Sequence, residues 1–241
     1  MGIYDRDYYR DPAGPTRFGG IRLWSMNTKL IAINIAIFLI DNLYSKTLVD
    51  EDGYILGQIH PIHQWGRFSV NAAVFHLQIW RFLSFQFLHF NLQHILYNMI
   101  ALFFFGPMIE TYFGSRKYLA FYLLCGCAGA VMNVLLWAGG VYPPTDQMVG
   151  ASAGIFGVLI AAAQVAPDTQ VLIYGIIPVR LRVLAWVLLG IAAYTVLTNG
   201  HNAGGEAAHL GGAAAGFLLI KYPQLLKFTD YRRPPRMRYR P

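Results

Sequence analysis

Apolar residues gather in long blocks along this chain. Leu30 to Tyr44 is apolar apart from Asn34, Asp41 and Asn42. With its flanks it approaches the ~20 residues that cross a hydrocarbon core. Further blocks run from Gln93 to about Phe113, Tyr118 to Trp137, Gly150 to Ala166, Leu181 to Leu197 and Glu206 to Ile220. They predict six helices and an all-α polytopic membrane protein. Residues from about 46 to 90 are mixed, with Asp50-Glu51-Asp52-Gly53 followed by an interrupted Phe/Trp/Leu-rich stretch from Phe68 to Phe87. This reads as a long first loop carrying short amphipathic helices in the interface. Arg116-Lys117 makes a basic turn. An amphipathic stretch after Pro167 ends at Arg180 and Arg182, and a Gly-rich loop covers Asn199 to Gly205. Three regions follow: a polar, flexible N-terminal tail (1–26), a membrane domain (27–222) and a basic C-terminal tail (223–241).

Composition agrees. The 241 residues are 56% hydrophobic and 13% charged, against roughly a quarter charged in soluble domains. The net charge of +7 does not call for nucleic acid, because basic residues collect at the cytoplasmic ends of spans. The segment through Lys29 holds five Lys and Arg, the Arg116-Lys117 turn two, the Arg180/Arg182 connection two and the tail seven, sixteen of nineteen in all. Both termini are therefore expected in the cytoplasm, with the basic tail fixing topology rather than recruiting lipid. Residues 1–26 carry no apolar stretch of the signal-peptide kind. Cys125 and Cys127 lie inside an apolar run and read as packing residues. His60 and His63 offer at most weak metal binding, since no Cys or carboxylate completes a set.

The chemistry gathers around Gly150-Ala151-Ser152-Ala153-Gly154, which opens the fourth block after the polar loop Tyr142 to Gln147. A serine in a first helical turn sits among N–H groups without helical partners, at the positive end of the dipole. Those donors can hold an oxyanion. Locally, Gly150 and Gly154 serve equally as a small-residue packing pair. Two further blocks place polar side chains at matching depth. His94 and Asn98 begin the second, and His209 begins the sixth. A serine hydroxyl needs an adjacent base, and His209 can take its proton and return it to a leaving amine. His94 and Asn98, four apart, share a helix face and can donate to an oxyanion. Each residue alone also reads as a buried, hydrogen-bonded packing element. Together, at one depth on three helices, they predict a Ser152–His209 dyad. Glu206 reads as a helix cap. Phe156, one turn after Ser152, can pack on the imidazole, and Gly212 and Gly216 give the sixth helix a small face for close approach.

These residues resemble the rhomboid family of intramembrane serine proteases over roughly residues 28–222. The resemblance rests on His94-Ile95-Leu96-Tyr97-Asn98, Gly150-Ala151-Ser152-Ala153-Gly154 and Ala208-His209-Leu210-Gly211-Gly212. Trp80-Arg81 resembles the family's Trp-Arg pair in the first loop, and Glu110 the acidic residue that braces that loop from the second helix. The resemblance implies a six-transmembrane-helix bundle with an outward-opening, water-filled cavity, capped by the loop between the fifth and sixth helices. It implies Ser152 as nucleophile, His209 as base, and an oxyanion hole from His94, Asn98 and the Ser152 backbone N–H. No metal or cofactor is implied. The implied substrates are single-span membrane proteins cut within or near the bilayer, and the implied location is a bacterial inner membrane. The form expected is the basic six-helix one, without a seventh helix or calcium-binding loop. Ala153 stands where many relatives carry glycine, and it still permits close approach.

Three other readings fit less well. A catalytically inactive rhomboid-like protein that binds transmembrane clients usually lacks the serine or histidine, and both are here. A transporter would show paired charges or broken helices near mid-membrane. A soluble hydrolase elbow needs a strand before its serine, where Pro143-Pro144 stand instead.

Overall fold

The computed structural model describes residues 24–52, 54–173 and 175–230. The N-terminal tail up to residue 23 and the basic cluster beyond residue 230 lie outside the described residues. Six helices of fourteen residues or more dominate: α1 (Met26–Leu43), α4 (Leu92–Phe113), α5 (Ser115–Ala138), α6 (Ser152–Val165), α7 (Leu181–Leu197) and α8 (Ala203–Lys221). Each corresponds to an apolar block. Three of them, α1, α4 and α5, are long and apolar enough to cross a membrane, while α6 and α7 are apolar but shorter. Many large side chains on the outer faces are exposed, among them Phe103, Phe104, Trp186 and Leu197.

Local chemistry sets the helix ends. Ser25 caps α1, accepting from the Thr28 N–H at 3.0 Å. Asn91 caps α4 through the His94 N–H at 2.8 Å. Gly114, at φ +76°, ends α4 and starts α5 within one residue, so the expected basic turn is a single left-handed glycine.

The all-α expectation needs one correction. Strands β1 (Lys46–Val49) and β2 (Ile55–Ile59) form an antiparallel hairpin, and β3 (Gln170–Ile173) pairs with β4 (Ile177–Arg180) in a second. The Asp50 carboxylate organises the first turn by accepting from the Tyr54 N–H at 2.7 Å. Both hairpins are short and mostly exposed, and so carry no alternating pattern to reveal them. A further helical turn, Pro223–Thr229, follows α8 and buries Leu226, so packed chain extends past residue 222.

The first loop is built as expected from short helices, α2 (Pro61–Gly66), a π-turn at Asn71–Phe75, α3 (Arg81–Ser84) and a 3-10 turn at Phe85–Phe87. Asp41, buried at the end of α1, caps α2 through the Ile62 N–H at 2.9 Å.

The core lies where α5, α6 and α8 meet, built on buried Tyr118, Phe121, Tyr122 and Cys125 from α5. A Cβ at Gly129 would stand 2.7 Å from Ala153 Cβ and 2.8 Å from the Ala208 carbonyl oxygen. Glycine there lets three helices touch at one level, beside Ser152 on α6 and His209 on α8.

Candidate functional site

Ser152 is the first residue of α6, and the chain leading to it is held by the first loop. Phe68 and Met148 exchange backbone hydrogen bonds at 2.9 and 2.8 Å, the Asn71 N–H donates to the Pro144 carbonyl at 2.8 Å, and the Gly150 N–H donates to the Phe85 carbonyl at 2.9 Å. Arg81 fixes the loop side of that pairing, donating from Nη1 to the Gln64 carbonyl at 3.0 Å and to the Arg67 carbonyl. Trp80 stacks on Trp65 and donates from Nε1 to the Trp65 carbonyl at 3.2 Å. The Trp80-Arg81 pair is thus a brace within the first loop. Gly150, at φ +129°, makes the bend into α6. A Cβ there would lie 2.8 Å from His94 Nε2 and 3.5 Å from Ser152 Oγ. Only glycine suits both the dihedral and the space, and His94 and Ser152 face one spot across it.

Ser152 Oγ lies 2.7 Å from His209 Nε2. The Phe156 ring stacks on the imidazole, centroids 4.2 Å apart and planes 8° from parallel. α8 starts three residues earlier than the sequence predicts, so His209 is in its second turn. Glu206 is consequently not the cap it was expected to be. Its Oε2 lies 2.8 Å from His209 Nδ1, a contact that reading the sequence missed. Asn98 is buried and donates from Nδ2 to the His94 carbonyl at 3.0 Å. Ser152, His209, His94, Asn98, Tyr97 and Gly150 line one cavity of about 640 Å³, with Gln147, Met148, His201 and Asn202 among its other walls. The Ser152 N–H, at the first helical position, lacks an intrahelical acceptor by geometry.

Two further residues depart from expectation. Glu110 does not brace the first loop. Its carboxylate accepts from the Met26 and Asn27 N–H groups at 2.7 and 2.8 Å and from the Ser115 hydroxyl. It lies eighteen positions after Leu92, about 27 Å along α4, and so caps α1 at the far end. His89, assigned no setting from the sequence, is buried against His94 with ring centroids 5.0 Å apart. Burial first, then the neighbouring His94 and His63, push its pKa down to about 3. His63 is also lowered, chiefly by burial and despite Asp41. The signal for His89 was its five-residue spacing from His94, which is silent until the loop's turn is known.

A family model described as the Rhomboid domain matches residues 76–223. Rhomboid protease AarA of Providencia stuartii is 27% identical over 214 residues, covering 81% of this chain and 71% of that protein. RHOMBOID-like protein 7 of Arabidopsis thaliana is 30% identical over 170 residues, 68% of this chain and 50% of the relative. Rhomboid protease GluP of Bacillus subtilis is 30% identical over 147 residues, 61% of this chain and 26% of the relative. The chain thus spans about half the length of the Arabidopsis relative and about a quarter of GluP.

Proposed function

This chain belongs to the rhomboid family, and from that premise we propose that it is an intramembrane serine endopeptidase acting through Ser152 and His209. The observation that carries the reading is the 2.7 Å contact of Ser152 Oγ with His209 Nε2 at a helix N-terminus, inside a cavity with further polar donors. That two similar bacterial proteins are named rhomboid proteases supports it.

The chemistry runs in two halves. Ser152 Oγ attacks the scissile carbonyl carbon as its proton passes to His209 Nε2. The carbonyl oxygen gains the negative charge and is held by the Ser152 N–H, His94 and Asn98. One such donor contributes about 3–4 kcal/mol to the transition state. Collapse breaks the C–N bond. The amine leaves with the proton from His209, and the acyl group stays as an ester on Ser152. Water then attacks the ester carbonyl while giving its proton to His209. The second tetrahedral species expels Ser152 Oγ, which recovers that proton, and the acid product departs. Asn98 releases its bond to the His94 carbonyl, or shares it, to serve the oxyanion.

The proposed setting is a bilayer crossed six times, with both termini cytoplasmic and the cavity facing outward, in a bacterial inner membrane. Residues 27–222 form the membrane domain, which the packed turn Pro223–Thr229 extends at its C-terminal end. α6 has 14 residues, about 21 Å of helix in a core of about 30 Å. With its C-terminus set level with the cytoplasmic face, its N-terminus is recessed by roughly 9 Å, which puts Ser152 below the outer surface. The substrates are single-span membrane proteins, whose segment must unwind before attack and is helped to do so by helix-breaking residues.

Cleavage of a single-span reporter by purified protein in liposomes, wild type beside Ser152→Ala and His209→Ala, tests the reading. Product is expected from the wild type alone. Turnover retained in folded Ser152→Ala removes the nucleophile. A wild type that neither cleaves nor takes a fluorophosphonate label at Ser152 points to an inactive client-binding relative.

A further inference from the structure

We propose that Glu206 is a positioning residue for His209, which extends the dyad to a Ser152–His209–Glu206 triad. The inference rests on the protease reading above and deepens it. Glu206 Oε2 stands 2.8 Å from His209 Nδ1, and His209 Nε2 stands 2.7 Å from Ser152 Oγ. Both side chains are largely shielded, 14% exposed for His209 and 21% for Glu206.

The two contacts determine each other. A carboxylate beside Nδ1 accepts a hydrogen bond, so Nδ1 carries the ring proton in the neutral imidazole. Nε2 is then left with its lone pair aimed at the Ser152 hydroxyl, the arrangement a base requires. In the other tautomer Nε2 would carry the proton and donate to Oγ, unable to remove anything from it. Phe156 cannot make this choice. Its ring lies parallel to the imidazole, which fixes the ring plane but does not decide which of the two nitrogens carries the proton. When Ser152 passes its proton to Nε2, the imidazolium keeps its Nδ1–H on Glu206. The carboxylate stays ionised and faces the new positive charge. Opposite charges at hydrogen-bond distance in a partly dry site attract more than in bulk water.

A role in the helix dipole alone is the competing account, since Glu206 is an acidic residue in the first turn of α8. Any exposed acid would serve that purpose. The inward rotamer, aimed at one nitrogen of one ring, is what the dipole does not explain. Residues three apart share a helix face, so α8 itself sets the geometry and the pair needs no tertiary contact to form.

Three variants separate the accounts. Glu206→Gln removes the charge and can present an amide N–H to Nδ1. Glu206→Ala removes the contact. Glu206→Asp keeps the charge for the dipole but is about 1.5 Å shorter and falls out of reach of Nδ1. Reporter cleavage, the rate of fluorophosphonate labelling and thermal unfolding are measured on each. The ring 15N signals of His209, assigned by comparison with His209→Gln, report its tautomer in detergent. All three variants should unfold close to wild type, with KM unchanged. kcat and the labelling rate should fall by about 10- to 100-fold, less than the roughly 10⁴ that follows when a fully buried triad acid loses its charge. The 15N pattern should change from a single Nδ1–H tautomer to a mixture. Glu206→Asp behaving as wild type in rate and tautomer would overturn the proposal in favour of the dipole, and an unchanged pattern in Glu206→Ala, which leaves no side-chain acceptor, would overturn it outright. If the wild type neither cleaves nor labels, the protease reading fails by itself, while the 15N comparison still decides the role of Glu206. If Glu206→Gln fails to fold, Glu206→Ala and Glu206→Asp carry the same test.

Discussion

Gly212→Ala should loosen the bundle where it holds the reacting groups. Gly212 on α8 faces the backbone of α6. A Cβ built there overlaps the Ala153 carbonyl oxygen and lies 3.1 Å from Ala153 Cα. The Ala153 carbonyl carbon lies closer still, at 2.7 Å, and carbon atoms settle at about 3.5–4.0 Å, so the two helices must part by roughly 1 Å at this level. Neither obstacle is a flexible side-chain tip, so backbone has to move. Overpacking of this kind costs about 1–3 kcal/mol. Alanine's better helix propensity returns about 0.8–1.0 kcal/mol, which leaves a net loss of up to about 2 kcal/mol. The larger effect is on chemistry. Ala153 follows Ser152 directly and Gly212 sits three residues after His209, so the movement falls on the 2.7 Å Ser152–His209 contact. A misplacement near 1 Å costs about 10²-fold in rate. Gly190→Ala on α7 is the control, because a Cβ there meets nothing within 4 Å, and it should match or slightly exceed wild-type stability. Thermal unfolding in detergent, fluorophosphonate labelling and reporter cleavage are compared for the pair. Gly212→Ala with wild-type Tm and turnover would refute the close-packing argument.

Asn98→Ala should lower kcat by about 10²- to 10³-fold, the loss expected for one oxyanion donor, with KM little changed; unaltered turnover would remove Asn98 from the oxyanion hole. Glu110→Ala should lower stability by about 1.5–3 kcal/mol, the range for a hydrogen bond to a charged group, because the α1 N-terminus loses its carboxylate acceptor. The rate per folded molecule should hold, and a stability equal to wild type would show the cap to be idle. Stability should also fall in acid. His89 is held neutral in the fold, with its pKa depressed from 6.5 to about 3. Below pH 6.5 the unfolded chain takes up a proton that the folded one refuses. The stabilisation is thus intact above pH 6.5 and declines as pH falls toward 3, by about 1.4 kcal/mol per pH unit. His89→Gln should flatten this part of the unfolding profile measured between pH 7 and 4.5, and an unchanged slope would assign the acid sensitivity elsewhere.

The helices were legible because each depends on a property local in sequence. An apolar block shows where α4 or α5 can lie, while the cap at Asn91 and the stop at Gly114 emerge from the structure. Spacing likewise brought Ser152, His94, Asn98 and His209 to one level. What stayed hidden depends on which atoms meet across the fold. Glu206 is a different case: three residues before His209 it shares a helix face with it wherever α8 begins, and what the sequence left open was the rotamer that brings Oε2 to Nδ1 instead of to the helix N-terminus. Glu110 was read from resemblance as touching the first loop, and only the length of α4 shows that it reaches α1 instead. The hairpins β1–β2 and β3–β4 bury too little to leave an apolar alternation.

The long first loop has a physical cause in the shortness of α6. Because that helix begins at Ser152, the residues before it must run into the bundle without helical hydrogen bonds of their own. At the proposed depth in the bilayer, backbone N–H and C=O groups that face packed side chains and not the cavity need partners. The loop supplies them: Met148 pairs with Phe68, Pro144 accepts from Asn71, and Gly150 donates to Phe85. The supplying residues must in turn be rigid. Arg81 secures the Gln64 and Arg67 carbonyls just before Phe68, and Ser84 Oγ donates to the Gly66 carbonyl at 2.7 Å. The support therefore runs from Arg81, through the backbone at Phe68 and Met148, to the bend at Gly150 and then to Ser152. A recessed serine and an ordered loop are in this sense one feature. The first cannot be held below the surface of an apolar bundle unless the second provides the hydrogen bonds that a longer α6 would have made for itself.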